Sequence, residues 1–359
     1  MGIKNFDSKN IAFAASLLAQ GKLVAIPTET VYGLAADATQ PEAIAKIFAA
    51  KGRPSNHPLI VHLAEVSQVW GWGKALSMQT IQDIELLAQH FWPGPLTLVI
   101  KKADWVPNII TGQQDTVAIR IPNHPLTLDL LRTMPNGLVA PSANRFGRIS
   151  PTTPAHVLKE LGDKVEYILE GGACEVGIES TILNLSGEQP VILRPGMISS
   201  EQIASVLKKP ILQLGSPALA CSKTPRTPGL LNSHYAPKTP FYRIIDNPAF
   251  DRLGTQQLIA ELEQRLSQAK IALIGQETFP QIADTASRVT YKTLSTDPQY
   301  FSQKLYDTLH QLDEAGFDAI FCYLDLNILN KHAHWHSILD RLQKATLNTI
   351  QWDEIHFLQ

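Results

Sequence analysis

The apolar run Leu23-Val24-Ala25-Ile26 stops at Pro27, and that stop constrains what the first part of the chain can become. A short apolar run of this kind reads as a buried strand, and a proline cannot donate to a sheet ladder, so the strand ends there. Thr28, Glu29 and Thr30 then occupy a strand end, the place where open α/β sheets bind ligands. A helix follows. Pro41 suits its first position, Ile44, Ile47 and Phe48 share one face, and Gly52 suits its stop. Lys51 and Arg53 leave that helix together, Pro54 and Pro58 keep the next turn extended, and Leu59 to Leu63 reads as a buried strand carrying His62. Cations, histidines and hydroxyls on loops between buried elements suit a polyanionic ligand, although Lys and Arg also complement a helix C-terminus without any ligand. As loop cations, Lys51 and Arg53 are expected to be exposed and to contribute little to folding.

A chain of 359 residues favours two domains, and its 44% hydrophobic and 18% charged composition is that of a soluble protein with ample core material. A formal net charge of −2 makes the whole chain no electrostatic trap for nucleic acid. Cys174, Cys221 and Cys322 are odd in number and far apart, with no C-x-x-C or zinc spacing, which argues against a disulfide framework and for a reducing cytoplasm. The N-terminus is not a signal peptide, and no apolar run approaches membrane-spanning length.

In order, Ile11 to Gln20 reads as a helix, Trp70 to Lys74 as a surface turn with packed tryptophans, and Ile81 to His90 as a helix. Leu96 to Lys101, Thr116 to Ile121, Leu138 to Ala140, Tyr167 to Leu169, Glu179 to Leu185 and Val191 to Leu193 read as strands. Ser199 with Gln202 forms a capping box for a helix to Lys208. From Pro210 to Pro240 proline, serine and threonine accumulate as in a semi-rigid linker, yet Gly229 to Pro237 carries a His-Tyr pair that a plain spacer does not need. Beyond it, strands at Phe241 to Ile245, Ile271 to Ile274 and Ala319 to Tyr323 alternate with helices at Leu253 to Gln268 and Tyr300 to Ala315, which favours a parallel sheet. The segment His332-Ala333-His334-Trp335-His336 has no carboxylate or cysteine at ligand spacing and reads as polar surface.

The sequence contains no Walker A loop, Rossmann fingerprint, H-E-x-x-H, G-x-S-x-G or kinase signature, so nothing points to a covalent nucleophile. Short polar stretches instead follow apolar ones, at Thr28 to Thr30, Lys51 to His57, Arg120, Ser142 to Arg148, Glu179 to Thr181 and Arg194.

Five of these stretches resemble, in order, the motifs of the YrdC-like threonylcarbamoyl-AMP synthase family. They are Pro27-Thr28-Glu29-Thr30-Val31-Tyr32-Gly33-Leu34; Lys51-Gly52-Arg53-Pro54 with Pro58 to His62; Pro141-Ser142-Ala143-Asn144; Glu179-Ser180-Thr181-Ile182; and Leu193-Arg194-Pro195-Gly196. The likeness continues through His234-Tyr235-Ala236-Pro237 and, more weakly, Leu312 to Gly316 and Asp340-Arg341-Leu342. It implies an α/β protein: a YrdC-like twisted mixed-sheet catalytic domain over residues 1–209, a proline-rich linker over 210–240, and a smaller Rossmann-like α/β domain over 241–359. For the linker's own residues two readings stay open, a cover over the active site and a packing element between the domains. It further implies that L-threonine, bicarbonate or CO2, and ATP are joined into threonylcarbamoyl-adenylate with release of pyrophosphate. A downstream tRNA threonylcarbamoyltransferase complex would then modify ANN-decoding tRNAs. Carried over by motif, L-threonine falls to Thr30, His62, Arg120, Ala140 and Ser180. ATP falls to Arg53, His57, Thr116, Ser142, Ser150, Arg194 and Tyr235. Lys51 and Arg53 are assigned to the triphosphate as catalytic groups, and Mg2+ is expected through the ATP phosphates with no protein metal site. Two other readings stay open: a non-catalytic RNA-binding protein, and a carbamoyl-adenylate-forming enzyme acting on another amine.

Overall fold

The computed structural model describes residues 10–214, 216, 224–229, 234–245, 254–266, 268–276, 288–324, 329 and 332–351. The chain forms two compact units, residues 1–146 with 150–230, and residues 147–149 with 231–359.

The first unit is built on ten strands: β1 (Val24–Ile26), β2 (Gly33–Asp37), β3 (Ile60–His62), β4 (Leu96–Lys101), β5 (Thr116–Arg120), β6 (Leu138–Val139), β7 (Tyr167–Ile168), β8 (Thr181–Asn184), β9 (Val191–Arg194) and β10 (Leu212–Gln213). Their spatial order is β10-β9-β8-β4-β5-β3-β6-β2-β1-β7, with parallel and antiparallel pairs mixed. The two faces of the central strands differ in kind. Val61, Leu96, Leu98, Ile100, Val117, Ile119 and Leu183 join one large core with Ile44, Ile47 and Phe48 of the helix Pro41–Lys51 and Ile84 and Leu87 of the helix Met78–Phe91. The alternate residues Ile60, Val99, Ala118 and Ile182 belong to a small separate cluster on the other face. Period-2 alternation therefore commits one face to helix packing and leaves the other for a site.

The helix Pro41–Lys51 starts at its proline and is stopped by Gly52 in the left-handed region, as the spacing predicts. The capping box at Ser199 is formed, and the helix it starts runs Ser200–Leu207. Trp70 to Trp72 lies in a four-residue helix rather than a turn; Trp72 is buried against Trp105 at 4.5 Å between ring centroids.

The second unit holds β11 (Phe241–Ile245), β12 (Ile271–Gln276), β13 (Val289–Leu294), β14 (Ala319–Tyr323) and β15 (Asn348–Gln351), all parallel, in the order β13-β12-β14-β11-β15. The α/β class is as expected. In a Rossmann half, however, the first and second strands are neighbours, whereas here β14 lies between β11 and β12. Asp297 caps the helix Pro298–Glu314 by accepting from the backbone N–H of Gln299 and Tyr300, which moves its start two residues ahead of the sequence reading. The segment His332 to His336 leads into the helix Trp335–Ala345; His332 and His336 are exposed, while Trp335, Ile338, Arg341 and Leu342 form a buried stripe.

Gly112 ties the fold to the candidate site. Its φ is +58°, and a Cβ there would lie 2.4 Å from the Asn56 carbonyl oxygen in the turn that carries His57. Gly112→Ala is expected to cost about 2 kcal/mol or more in urea unfolding, because both strain and a backbone clash oppose it. Unfolding equal to wild type would show that this turn yields freely.

Candidate functional site

Sheet register gathers the polar side chains. His62 is the direct partner of Arg120, Arg120 of Thr97, Thr97 of Ile182, and Ile182 of Arg194. Direct partners in neighbouring strands present their side chains to the same face. His62, Arg120, Thr97 and Arg194 thus form a transverse row on the face opposite the helix-packed core. Arg194 joins the row through a register irregularity between Ile182 and Leu183. Without it, Arg194 would follow Ile192 by two residues and point into that core.

Arg120, buried at 4% exposure, is the hub. Its Nη1 donates to Thr30 Oγ1 at 2.9 Å, its Nε donates to the Gly94 carbonyl at 3.3 Å, and its Nη2 lies 2.8 Å from Glu29 Oε1. That last approach is an ion pair without hydrogen-bond alignment, since neither Arg120 Nη2 nor the Glu29 carboxylate has a hydrogen-bond partner among the described residues. The Thr28 hydroxyl donates to the Val31 carbonyl at 2.6 Å. With its single proton used there, its 2.8 Å contact with Thr30 Oγ1 must be a bond that Thr30 donates. Thr30 is thereby locked, with an oxygen lone pair turned to Arg120. At the other end of the row, Thr97 Oγ1 and Ser180 Oγ are 2.8 Å apart. Arg194 holds Ser180 twice, from Nη2 to Oγ at 3.1 Å and from Nε to its carbonyl at 3.0 Å.

Burial and the Arg120 charge push the His62 pKa down to about 3, so the ring is neutral at ordinary pH; its Nδ1 lies 3.2 Å from the Ile60 carbonyl, to which only a protonated nitrogen can donate. Ala140 enters through its backbone, its N–H donating to the same carbonyl at 3.2 Å.

A second group of cations lies after the helix Pro41–Lys51. The expectation that Lys51 and Arg53 are exposed does not hold: they are 3% and 7% exposed. Lys51 Nζ donates to the carbonyls of Ser142 and Asn144, tying down the Pro141 to Asn144 stretch. Burial, and next the nearby Arg53, pull its pKa well below the usual lysine value. Arg53 Nη2 donates to the Pro58 carbonyl at 2.8 Å, and its guanidinium lies 5.8 Å from the Phe146 ring centroid. His57 meets the same ring edge-on at 5.2 Å; burial first, then Arg53 and Arg226, lower its pKa. Ser142 bridges Gly33, Ser150 Oγ donates to Glu179 Oε1 at 2.6 Å, and Thr116 opens β5 on the Arg120 side. Tyr235 belongs to the second unit, buried beside His234 and Tyr306, with the Arg341 guanidinium 5.6 Å from its ring centroid.

Sequence reasoning passed over Thr97, Phe146 and Arg226. Thr97 did leave a signal, as a single polar residue in the apolar run Leu96 to Ile100. Arg226 is fixed to the first unit: its N–H donates to Gln114 Oε1 at 2.6 Å and its Nη2 to the Gly112 carbonyl at 2.7 Å. Together with the Arg194 Nη1 bond to the Pro228 carbonyl at 3.3 Å, this anchors residues 224–229 of the linker on that unit.

Residues 16–196 match the family described as "Telomere recombination", and residues 198–346 match the family "Threonylcarbamoyl-AMP synthase, C-terminal domain". The threonylcarbamoyl-AMP synthase of Pyrococcus abyssi is 36% identical over 346 residues, 96% of each chain, and that of Bacillus subtilis is 38% identical over 319 residues, 88% of this chain and 87% of the other. The crystal structure of P. abyssi Sua5 complexed with L-threonine superposes with a TM-score of 0.81 at 34% identity, covering 97% of both chains. The fold and its polar row define an α/β protein of the YrdC-like class. Within that class, the chain belongs to the threonylcarbamoyl-AMP synthase family.

The depressed His62 pKa has a stability consequence. A histidine whose folded pKa lies below the unfolded value near 6.5 contributes stability that is complete above that pH and is lost as pH falls toward about 3. The slope reaches roughly 1.4 kcal/mol per pH unit. Between pH 7 and pH 5, wild type should therefore lose about 2 kcal/mol more in urea unfolding than His62→Gln. An equal loss in both proteins would place a charged His62 in the native state.

Proposed function

We propose that the chain is a threonylcarbamoyl-AMP synthase, forming threonylcarbamoyl-adenylate and pyrophosphate from L-threonine, bicarbonate and ATP. One observation carries this reading: the buried guanidinium of Arg120, flanked by the Thr30 hydroxyl and by neutral His62 in a row that ends at Ser180 and Arg194. A planar guanidinium in a desolvated pocket is suited to a substrate carboxylate, and flanking hydroxyls suit a β-hydroxy amino acid. Threonine is thus placed on Thr30, His62, Arg120, Ser180 and the Ala140 backbone.

ATP is placed on Arg53, His57, Thr116, Ser142, Ser150 and Arg194, with the Lys51 N–H not used by the two carbonyls as a further contact. Adenylation asks the protein for positioning and neutralised phosphate charge rather than a nucleophile. The threonine N-carboxylate attacks the α-phosphorus, pyrophosphate leaves, and the cations disperse the charge that develops on it. Among the described residues no group of three or more His, Cys, Asp or Glu is placed to hold a metal ion. Mg2+ is expected with the nucleotide, where it would be held by phosphates and water and neutralise phosphate charge. The product is an unstable mixed anhydride, and its consumer is an enzyme that transfers the threonylcarbamoyl group to adenosine of ANN-decoding tRNAs.

The test is pyrophosphate release with each substrate omitted in turn, with mass spectrometry of the product. Release is expected only when threonine, bicarbonate and ATP are all present; release without threonine, or with another amine in preference, would overturn the reading. Arg120→Lys keeps the charge and loses the fork. It should raise the threonine requirement about tenfold or more while changing the ATP requirement little. The reverse pattern would mean that the two ligands are exchanged. Arg53→Ala should lower turnover about tenfold or more and also destabilise the fold by about 1–3 kcal/mol, because a buried donor to the Pro58 carbonyl is removed. Unchanged turnover in a folded variant would remove Arg53 from the nucleotide site.

A further inference from the structure

Glu29 is a charged group beside Arg120 to which the synthase reading gives no role. Its side chain is 4% exposed, and neither carboxylate oxygen accepts a hydrogen bond among the described residues. Ionised carboxylates in protein interiors are normally hydrogen-bonded, because leaving one bare costs several kcal/mol. The backbone around it is well held: the Glu29 carbonyl accepts from Val176 N–H at 2.7 Å, and Thr28 locks the turn on either side. The carboxylate is therefore fixed in place and paired in charge with Arg120, yet accepts no hydrogen bond among the described residues.

The surrounding charges say what it is suited to hold. Arg120 faces Glu29 from β5 at 2.8 Å. Cys174 faces it from the loop before Val176, its thiol pushed well up by burial and then by Glu29 itself, so that it stays a neutral thiol; the Thr28 backbone and Arg120 lower that thiol's pKa in part, and Glu175 raises it. His62, beside Arg120, is neutral. One buried cation and one buried anion thus stand side by side. That is the complement of an α-amino acid zwitterion, whose carboxylate takes the guanidinium and whose ammonium takes the carboxylate.

We propose that Glu29 is a catalytic residue that receives the ammonium group of the amino-acid substrate and takes one proton from it, which frees the amine for carboxylation. This rests on the synthase reading and deepens it. In the step, one N–H bond breaks, its proton goes to a Glu29 oxygen, and the electron pair stays on nitrogen. That pair bonds to the carbon of bicarbonate, whose hydroxyl departs as water with a second proton from nitrogen. The N-carboxylate remains, and the Glu29 proton passes to solvent. A neutral site would have to wait for the small fraction of free amine present near neutral pH.

The test uses the full chain and two ligands, L-threonine and 2,3-dihydroxybutanoate, which has a hydroxyl where threonine has its ammonium. Calorimetric titration in the presence of a non-hydrolysable ATP analogue is expected to give wild type at least a tenfold preference for threonine, and Glu29→Gln at least a tenfold loss of threonine affinity with the hydroxy acid held as well or better. Pyrophosphate release by wild type should be nearly flat with pH through the neutral range, while Glu29→Gln should rise about tenfold per pH unit until the amine's own pKa is reached. Glu29→Asp, which keeps the charge, should recover part of the flat profile. Unchanged threonine affinity and a wild-type pH profile in Glu29→Gln would overturn the proposal. If Glu29→Gln does not fold, equal affinity of wild type for the two ligands overturns it and the tenfold preference supports it. Absence of threonine-dependent pyrophosphate release from wild type would instead defeat the synthase reading; the binding arm still decides whether Glu29 holds an ammonium.

Discussion

The buried charge of Arg120 is the constraint on which the first unit's functional face depends. A guanidinium withdrawn from water needs its donors filled and a counter-charge near it. The chain supplies these from two separate places: the Gly94 carbonyl before β4, and the Glu29 carboxylate with the Thr30 hydroxyl in the turn after β1. Meeting that need draws the Pro27 to Thr30 turn onto the end of β5. Burial, and next the same charge, keeps His62 neutral.

The sheet sets the precision of the arrangement. A side chain on a strand is positioned by ladder hydrogen bonds on both sides, and residues in register cannot drift relative to one another. His62, Arg120 and Thr97 inherit that rigidity, and the paired hydroxyls of Thr97 and Ser180 extend it to Arg194. The loop groups are stiffened differently. Lys51 clamps two carbonyls of the Pro141 to Asn144 stretch, and Arg53 bonds back across its own turn to Pro58. These buried cations hold shape as well as charge, which is why reading them as free surface cations underestimates what they do for stability.

Much of the architecture was legible because its signals are local. The proline and glycine that bound the helix Pro41–Lys51, the capping box at Ser199 and the apolar run of β4 each act over a few residues, and each is found where the spacing places it. What escaped depends on distant partners. The position of Arg194 in the row follows from one register shift against β8, which no window of sequence contains. Burial of Lys51 and Arg53 follows from carbonyls and an aromatic ring supplied from elsewhere in the fold, and the helix Trp335–Ala345 was obscured by three histidines around its first turn and by a fully buried Arg341 paired with Asp340. The neighbour order of the second sheet is likewise a property of crossovers and not of any strand's own residues.

The central claim is that the row running from His62 through Arg120 to Ser180 receives the amino-acid substrate while Arg53 and its neighbour His57 receive the phosphates. A crystal structure of the chain soaked with L-threonine and a non-hydrolysable ATP analogue tests it most directly. The account predicts the threonine carboxylate within hydrogen-bonding distance of the Arg120 guanidinium, and the triphosphate beside Arg53 and Ser142. Threonine found away from Arg120, or phosphates seated on it, would contradict the account.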